Sequence, residues 1–285
     1  MSLENRVPHW FAGFICIQVV LLTGLMRSSA QDTLSNSKAL NLPFRKYGLS
    51  IGNSNDFNGI RINFIDKNVK RINGLNVTFW SNNALRFDRW LNEGNDSSVI
   101  NGISMGIIPT AGSMQPINLG LMGVRTSPRN LNGLSAGGTF ILSAGNINGL
   151  SISGLLTQTG VINGIAVSGL FVAGIQGING LAIGGLAVSS DTKNINGVAL
   201  SPGVLYCGNN FKGIGVSGIF LRSGVFKGLA LAGFAKTNQM FGLSFALYNR
   251  TNELHGIMLG LLNYAGNNPR GLRMLPFLNM HLMKK

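Results

Sequence analysis

Few side chains in this sequence could carry chemistry. His255 precedes Gly256, and His281 lies in a C-terminal stretch with no acidic residue nearby. A catalytic imidazole needs a nucleophile or an orienting carboxylate within reach. His255 instead stands where related segments have Asn before Gly, so it reads as a corner residue. Cys207, in Leu205-Tyr-Cys-Gly-Asn-Asn, has no His or basic cluster beside it to stabilise a thiolate, and it reads as a small buried side chain. Asp88 and Glu93 are the closest acids in a variable region; one pair in a charged insert reads as a solvated face, not as a glycosidase couple. No His/Cys/Asp cluster has metal-ligand spacing. Near-matches to Gly-x-Gly-x-x-Gly are expected by chance among 40 glycines, and none lies between a parallel strand and a helix as a dinucleotide site requires. The sequence assigns no catalytic, cofactor-binding or metal-binding residue, and it reads as a non-enzyme without a cofactor.

Charge narrows the partners. The net charge is +14, yet residues 130–211 hold only Asp191 and Lys193 as charged side chains. The basic character belongs to the segments on either side. A nucleic-acid groove needs Arg and Lys interleaved with aromatics along one face, and no such run is visible along the chain. The expectation is therefore no nucleic acid, with envelope glycans, lipopolysaccharide, a membrane surface or a second copy as the open choices.

The elements that must carry any function are copies of one another. Asn-Ile-Asn-Gly-Leu-Ser-Ile at 146, Val-Ile-Asn-Gly-Ile-Ala-Val at 161, Gly-Ile-Asn-Gly-Leu-Ala-Ile at 177 and Asn-Ile-Asn-Gly-Val-Ala-Leu at 194 repeat one unit. From Gly133 onward, anchor glycines recur every 14 to 17 residues to Gly271. A short fixed period is the signature of a repeat architecture. One imperfect copy has Leu119 where the anchor is expected. An insert near 79–98, with two tryptophans and several charges, is expected to form a short helix over one face or end. All three tryptophans are read as lying outside the regular array.

Within a copy, Leu181 and Ile183 share one strand phase whereas Leu186 and Val188 share the other. Residues of opposite phase on a straight strand face opposite sides. A bend at the central glycines would turn both sets of large residues into one interior, leaving Ser, Ala, Thr and Gly outside. This predicts an all-β repeat solenoid of about 14 coils with 14–17 residues each, in which Asn73, Asn148, Asn163, Asn179 and Asn196 align as a ladder. The alternative is an up-and-down β-meander or outer-membrane β-barrel, weakened by the phase change, the short loops and the scarcity of Tyr and Trp. The domain reading is a signal peptide over 1–30, a leader or N-terminal cap over 31–56, the repeat array over 57–261 and a C-terminal cap over 262–285, where Pro276 and terminal lysines suit a protected sheet edge.

Arg6, the apolar run Trp10–Leu25 and the small residues before Ala30 have the order of a secretory signal, with cleavage expected between Ala30 and Gln31. An uncleaved anchor is the competing reading. Cys16 lies inside the apolar run and does not suit a lipoprotein's acylated cysteine. Cleavage would leave only Cys207 and so no intramolecular disulfide.

Phe57-Asn-Gly-Ile-Arg-Ile-Asn-Phe, Val69-Lys-Arg-Ile-Asn-Gly-Leu, the recurring Asn-Gly units and Leu262-Asn-Tyr-Ala-Gly-Asn-Asn-Pro-Arg-Gly-Leu-Arg together resemble the exported surface-repeat proteins of diderm bacteria. The resemblance spans about residues 57–282. The chain departs from it at the Leu119 copy and in ending on Leu-Met-Lys-Lys instead of an aromatic. The resemblance implies a protein of the cell surface, outer membrane or periplasm and carries over no functional residues. The expected function is a non-catalytic structural or interaction role, with a barrel serving as a channel as the alternative and a polysaccharide-acting enzyme third.

Overall fold

The computed structural model describes residues 39–44, 46–81 and 97–282. The expected signal peptide with Cys16, the body of the insert with Asp88 and Glu93, and the last three residues lie outside the described residues.

The repeats stack as a parallel β-solenoid. Asn146–Ser153 pairs in parallel with Leu156–Ser168, which pairs with Phe171–Gly184, which pairs in turn with Ala187–Ser190 and Ile195–Ser201. From Val204–Ala265 the chain is extended throughout and rounds each corner without a break in pairing. Antiparallel pairing occurs at the two ends: Ala39–Phe44 with Tyr47–Gly52, and Met274–His281 with the last coil. Each end strand occupies a sheet edge that would otherwise be open. A meander or barrel would be antiparallel throughout, so that alternative does not describe the structure.

Two columns fix the register. The anchor glycines stand over one another, Gly149 on Gly133, Gly164 on Gly149 and Gly180 on Gly164. At Gly180 the backbone has φ of +128°, and an added Cβ would lie 2.1 Å from the carbonyl oxygen of Gly164. Both the left-handed conformation and the close stacking require glycine there. Beside them runs the Asn ladder. Asn163 Nδ2 donates to Asn148 Oδ1 at 2.8 Å, Asn179 to Asn163 at 2.9 Å and Asn196 to Asn179 at 2.8 Å. Asn58, Asn101, Gln115 and Asn132 extend it toward the N-terminus.

Two expectations are corrected. The anchor position of the imperfect copy is Pro116, which follows a cis Gln115–Pro116 bond and pairs with Gly102, while Leu119 pairs with Met105 three positions further along the strand. Trp80 belongs to the array: it pairs with Ile65 and packs against the buried Ile108, Phe140 and Leu142.

The larger correction concerns which side faces in. Ala182 and Ala166 are fully buried, whereas Leu181 and Ile183 are half-buried and Ile165 is 42% exposed. The interior of a coil is filled from its other sides, by Ile178 before the glycine corner and Val188 after the turn, both fully buried. Only a small side chain fits between them. At Gly215 an added Cβ would lie 3.1–3.3 Å from the side chains of Leu221, Phe226 and Phe211, which is tight against a packed interior. On the strand after each anchor glycine the small member of the alternation therefore points inward and the large one outward, while in the second half of the copy Val188 faces inward as expected and Leu186 is 48% exposed.

Candidate functional site

Of the residues singled out for chemistry, Cys207, His255 and His281 lie among the described residues, and the two histidines come together there. Cys207 is 1% exposed, it lies beside Ser190 in the adjacent coil, and burial pushes its thiol above the usual range. A protonated buried thiol is a poor nucleophile. His255 continues the ladder column, its ring stacked on Phe241 with centroids 4.6 Å apart. Its Nδ1 is buried without a hydrogen-bond partner. His281 lies edge-on to it at 6.2 Å, and its Nδ1 is 2.6 Å from Asn268 Oδ1. Among the described residues no three His, Cys, Asp or Glu side chains converge to hold a metal ion.

What the fold does build is surface. On the face formed by the strand after each anchor glycine, two outward columns run along the stack. One contains Ile60, Leu75, Ile103, Ile117, Leu134, Leu150, Ile165, Leu181, Val198 and Ile214. The other contains Ile62, Val77, Met105, Leu119, Ala136, Ile152, Val167, Ile183 and Leu200. Beyond them the same positions after Gly228, Gly242 and Gly256 hold Leu229 and Leu231, Leu243 and Phe245, and Ile257 and Leu259. No charged residue interrupts either column. Representative exposures are 46% for Ile60, 45% for Ile152 and 40% for Phe245. The expected exterior of Ser, Ala and Thr is thus replaced by an aliphatic one, with those small residues inside.

A notch breaks the face. At Ala136 the second column loses its large side chain, and a depression of about 550 Å³ opens there between Met105, Leu119, Leu121 and Ile152. Leu121, at 77% exposed, projects beside it.

The opposite outer face changes character along the stack. Its two outward columns run from Leu156 and Gln158 through Phe171 and Ala173 to Ala187 and Ser189, which pair with Val204 and Tyr206. At successive coils they continue as Phe220 and Arg222, Phe234 and Lys236, Tyr248 and Arg250, then Leu262 and Tyr264; the residues between, Leu205, Leu221, Ala235, Asn249 and Asn263, are buried. The last step is fixed by the hydrogen bond from Asn249 Nδ2 to Asn263 Oδ1, 2.7 Å, and by Arg250 lying 5.5 Å over the Tyr264 ring. Sequence reading missed this juxtaposition because its members are 14 to 16 residues apart; the anchor period, applied to cations and aromatics instead of glycines, could have found it.

Comparison with protein-family models, with curated proteins and with solved structures finds no match for the chain.

Proposed function

We propose that this chain is a non-catalytic structural protein of a bacterial envelope or surface, and that its aliphatic face is covered by the same face of a second copy. The observation that carries the reading is the pair of outward columns from Ile60 and Ile62 to Ile257 and Leu259, uncharged throughout and notched at Ala136. About a dozen coils roughly 4.8 Å apart, with a strand face on the order of 13 Å wide, give an area of about 800 Å². That is more apolar surface than a monomeric soluble protein ordinarily leaves in contact with water. It matches the area each partner contributes to a standard protein interface.

A second copy fits this face physically. Both surfaces would be pleated, flat and uncharged, with side chains at the same pitch, so they could pack about 10 Å apart like the layers of a sandwich. The notch at Ala136 would accept a side chain from the opposing layer. The N-terminal pattern and the resemblance to exported surface-repeat proteins support a location at the cell surface, outer membrane or periplasm.

Sedimentation of the exported protein over a wide concentration range tests the reading. The expected result is a reversible dimer, converted to monomer by Ile152→Lys with Ile183→Lys at unchanged circular dichroism. A wild-type monomer at every concentration, or a double variant that dimerises normally, would overturn it. Flotation of a monomeric wild type with neutral lipid vesicles would assign the face to lipid instead.

A further inference from the structure

We propose that the opposite face, over its last coils, is a docking site for an anionic phospholipid surface. Arg222, Lys236 and Arg250 occupy one outward column on successive coils. Parallel pairing sets them about 4.8 Å apart, where like charges in register repel one another. Among the described residues the ion pairs lie at the other end of the stack, Lys46–Asp56 and Arg61–Asp66. Glu253, the only acid from 205 to 282, instead accepts a hydrogen bond from Gln239 at 2.7 Å. Arg250 also lies over the Tyr264 ring, a contact that leaves its charge unneutralised, so among the described residues the cation column meets no acid and is open to an external anion.

The neighbouring columns say which anion. Phe220, Phe234 and Tyr248 stand directly beside the three cations, with Phe234 48% exposed. At the adjoining corner Ile219, Leu247 and Leu261 project at 62%, 58% and 63% exposure. An aromatic and aliphatic ridge bordered by Arg and Lys suits a lipid interface, where the apolar groups enter the headgroup layer and the cations meet phosphates. A soluble polyanion would satisfy the cations but leave the ridge in water. A single-stranded nucleic acid needs bases stacked on open ring faces, and rings spaced one per coil at about 4.8 Å leave no slot for a base between them.

This face is separate from the aliphatic one, so the test does not depend on self-association. The probe is flotation of the full exported chain with phosphatidylcholine vesicles, with and without phosphatidylglycerol, at low and physiological salt. Binding is expected only to the anionic vesicles and should weaken with salt. Each cation near such a surface contributes roughly fivefold, so Arg222→Gln with Lys236→Gln and Arg250→Gln should weaken binding by about 100-fold. Phe234→Ser with Leu247→Ser should weaken it at unchanged charge. Lys212→Gln with Lys227→Gln, in the ladder column, should have a smaller effect, and all variants should keep the wild-type circular dichroism. The proposal is overturned by no binding to anionic vesicles, by equal binding to neutral ones, by a triple variant that binds like the wild type, or by a soluble acidic polysaccharide bound as tightly with no dependence on Phe234 and Leu247.

Discussion

The first coils and the middle coils share an exterior and differ in what they enclose. Around Ile60 and Leu75 the interior is polar: Arg61, fully buried, donates to Asp66 at 2.5 Å, to Asn76 at 2.7 Å and to Asn53 at 2.9 Å. Asp66 also accepts from Asn63 and Thr78. Around Leu181 the equivalent positions are Ala166, Ala182 and Ala199, buried and apolar. Yet both regions present the same aliphatic pair outward. In a globular domain the interior sets the pattern and the surface varies; here the outward columns persist while the interior changes from an ion pair to alanine. The surface pattern is thus not a by-product of filling the core. A polar interior returns at the far end, where Asn249, Asn263 and Asn279 are buried and hydrogen-bonded. Directional bonds inside the end coils add to the register that the glycine column and the Asn ladder set in the middle.

The comparison is broken most severely at what both regions share. Gly180→Val combines a left-handed backbone with a Cβ inside contact distance of Gly164, and a loss of more than about 4 kcal/mol is expected, read as failure to fold or a collapsed denaturation midpoint. Gly271, with nothing within 4 Å of an added Cβ, should accept Ala within about 0.5 kcal/mol. Next in size is Asp66→Ala, which strands Arg61 in the interior and should cost about 3–5 kcal/mol by urea denaturation. Replacing both partners, Arg61→Met with Asp66→Leu, should recover most of that loss; recovery of none of it would mean that the ion pair itself is required. In the middle coils, Ala182→Leu should cost about 1–3 kcal/mol by overpacking, against almost nothing for the outward Leu181→Ala in the monomer. In the ladder, Asn163→Ala removes its bonds to Asn148 and Asn179 and should cost about 1–2 kcal/mol.

Much of the architecture was legible in the sequence because a short repeat makes its own alignment. Gly149, Gly164 and Gly180 announce a corner, and Asn148, Asn163 and Asn179 announce a ladder, before any contact is known. The facing of the strands was not legible. Alternation at Leu181, Ala182 and Ile183 identifies two sides of a strand but is symmetric between in and out, and hydrophobicity chooses the larger residue for the core. That choice fails here because Ile178 and Val188 already occupy the interior from other sides of the coil. Leu119 misleads because Ile117-Asn118-Leu119 matches the Ile-Asn-Gly pattern of the other copies, whereas the stack aligns Pro116 with Gly102. The cation and aromatic columns were hidden by distance along the chain, since neighbours on that face are separated by a whole coil.

The most direct test is the relative accessibility of adjacent positions on one strand. With Cys207→Ser as background, single cysteines at Ala182 and Ile183 would be compared for their rates of thiol labelling in dilute protein. The outward-facing account predicts rapid labelling of Ile183→Cys, slowed as concentration rises and the face is covered, and labelling of Ala182→Cys only on unfolding. Faster labelling at 182 than at 183 would contradict it and return the large residues to the core.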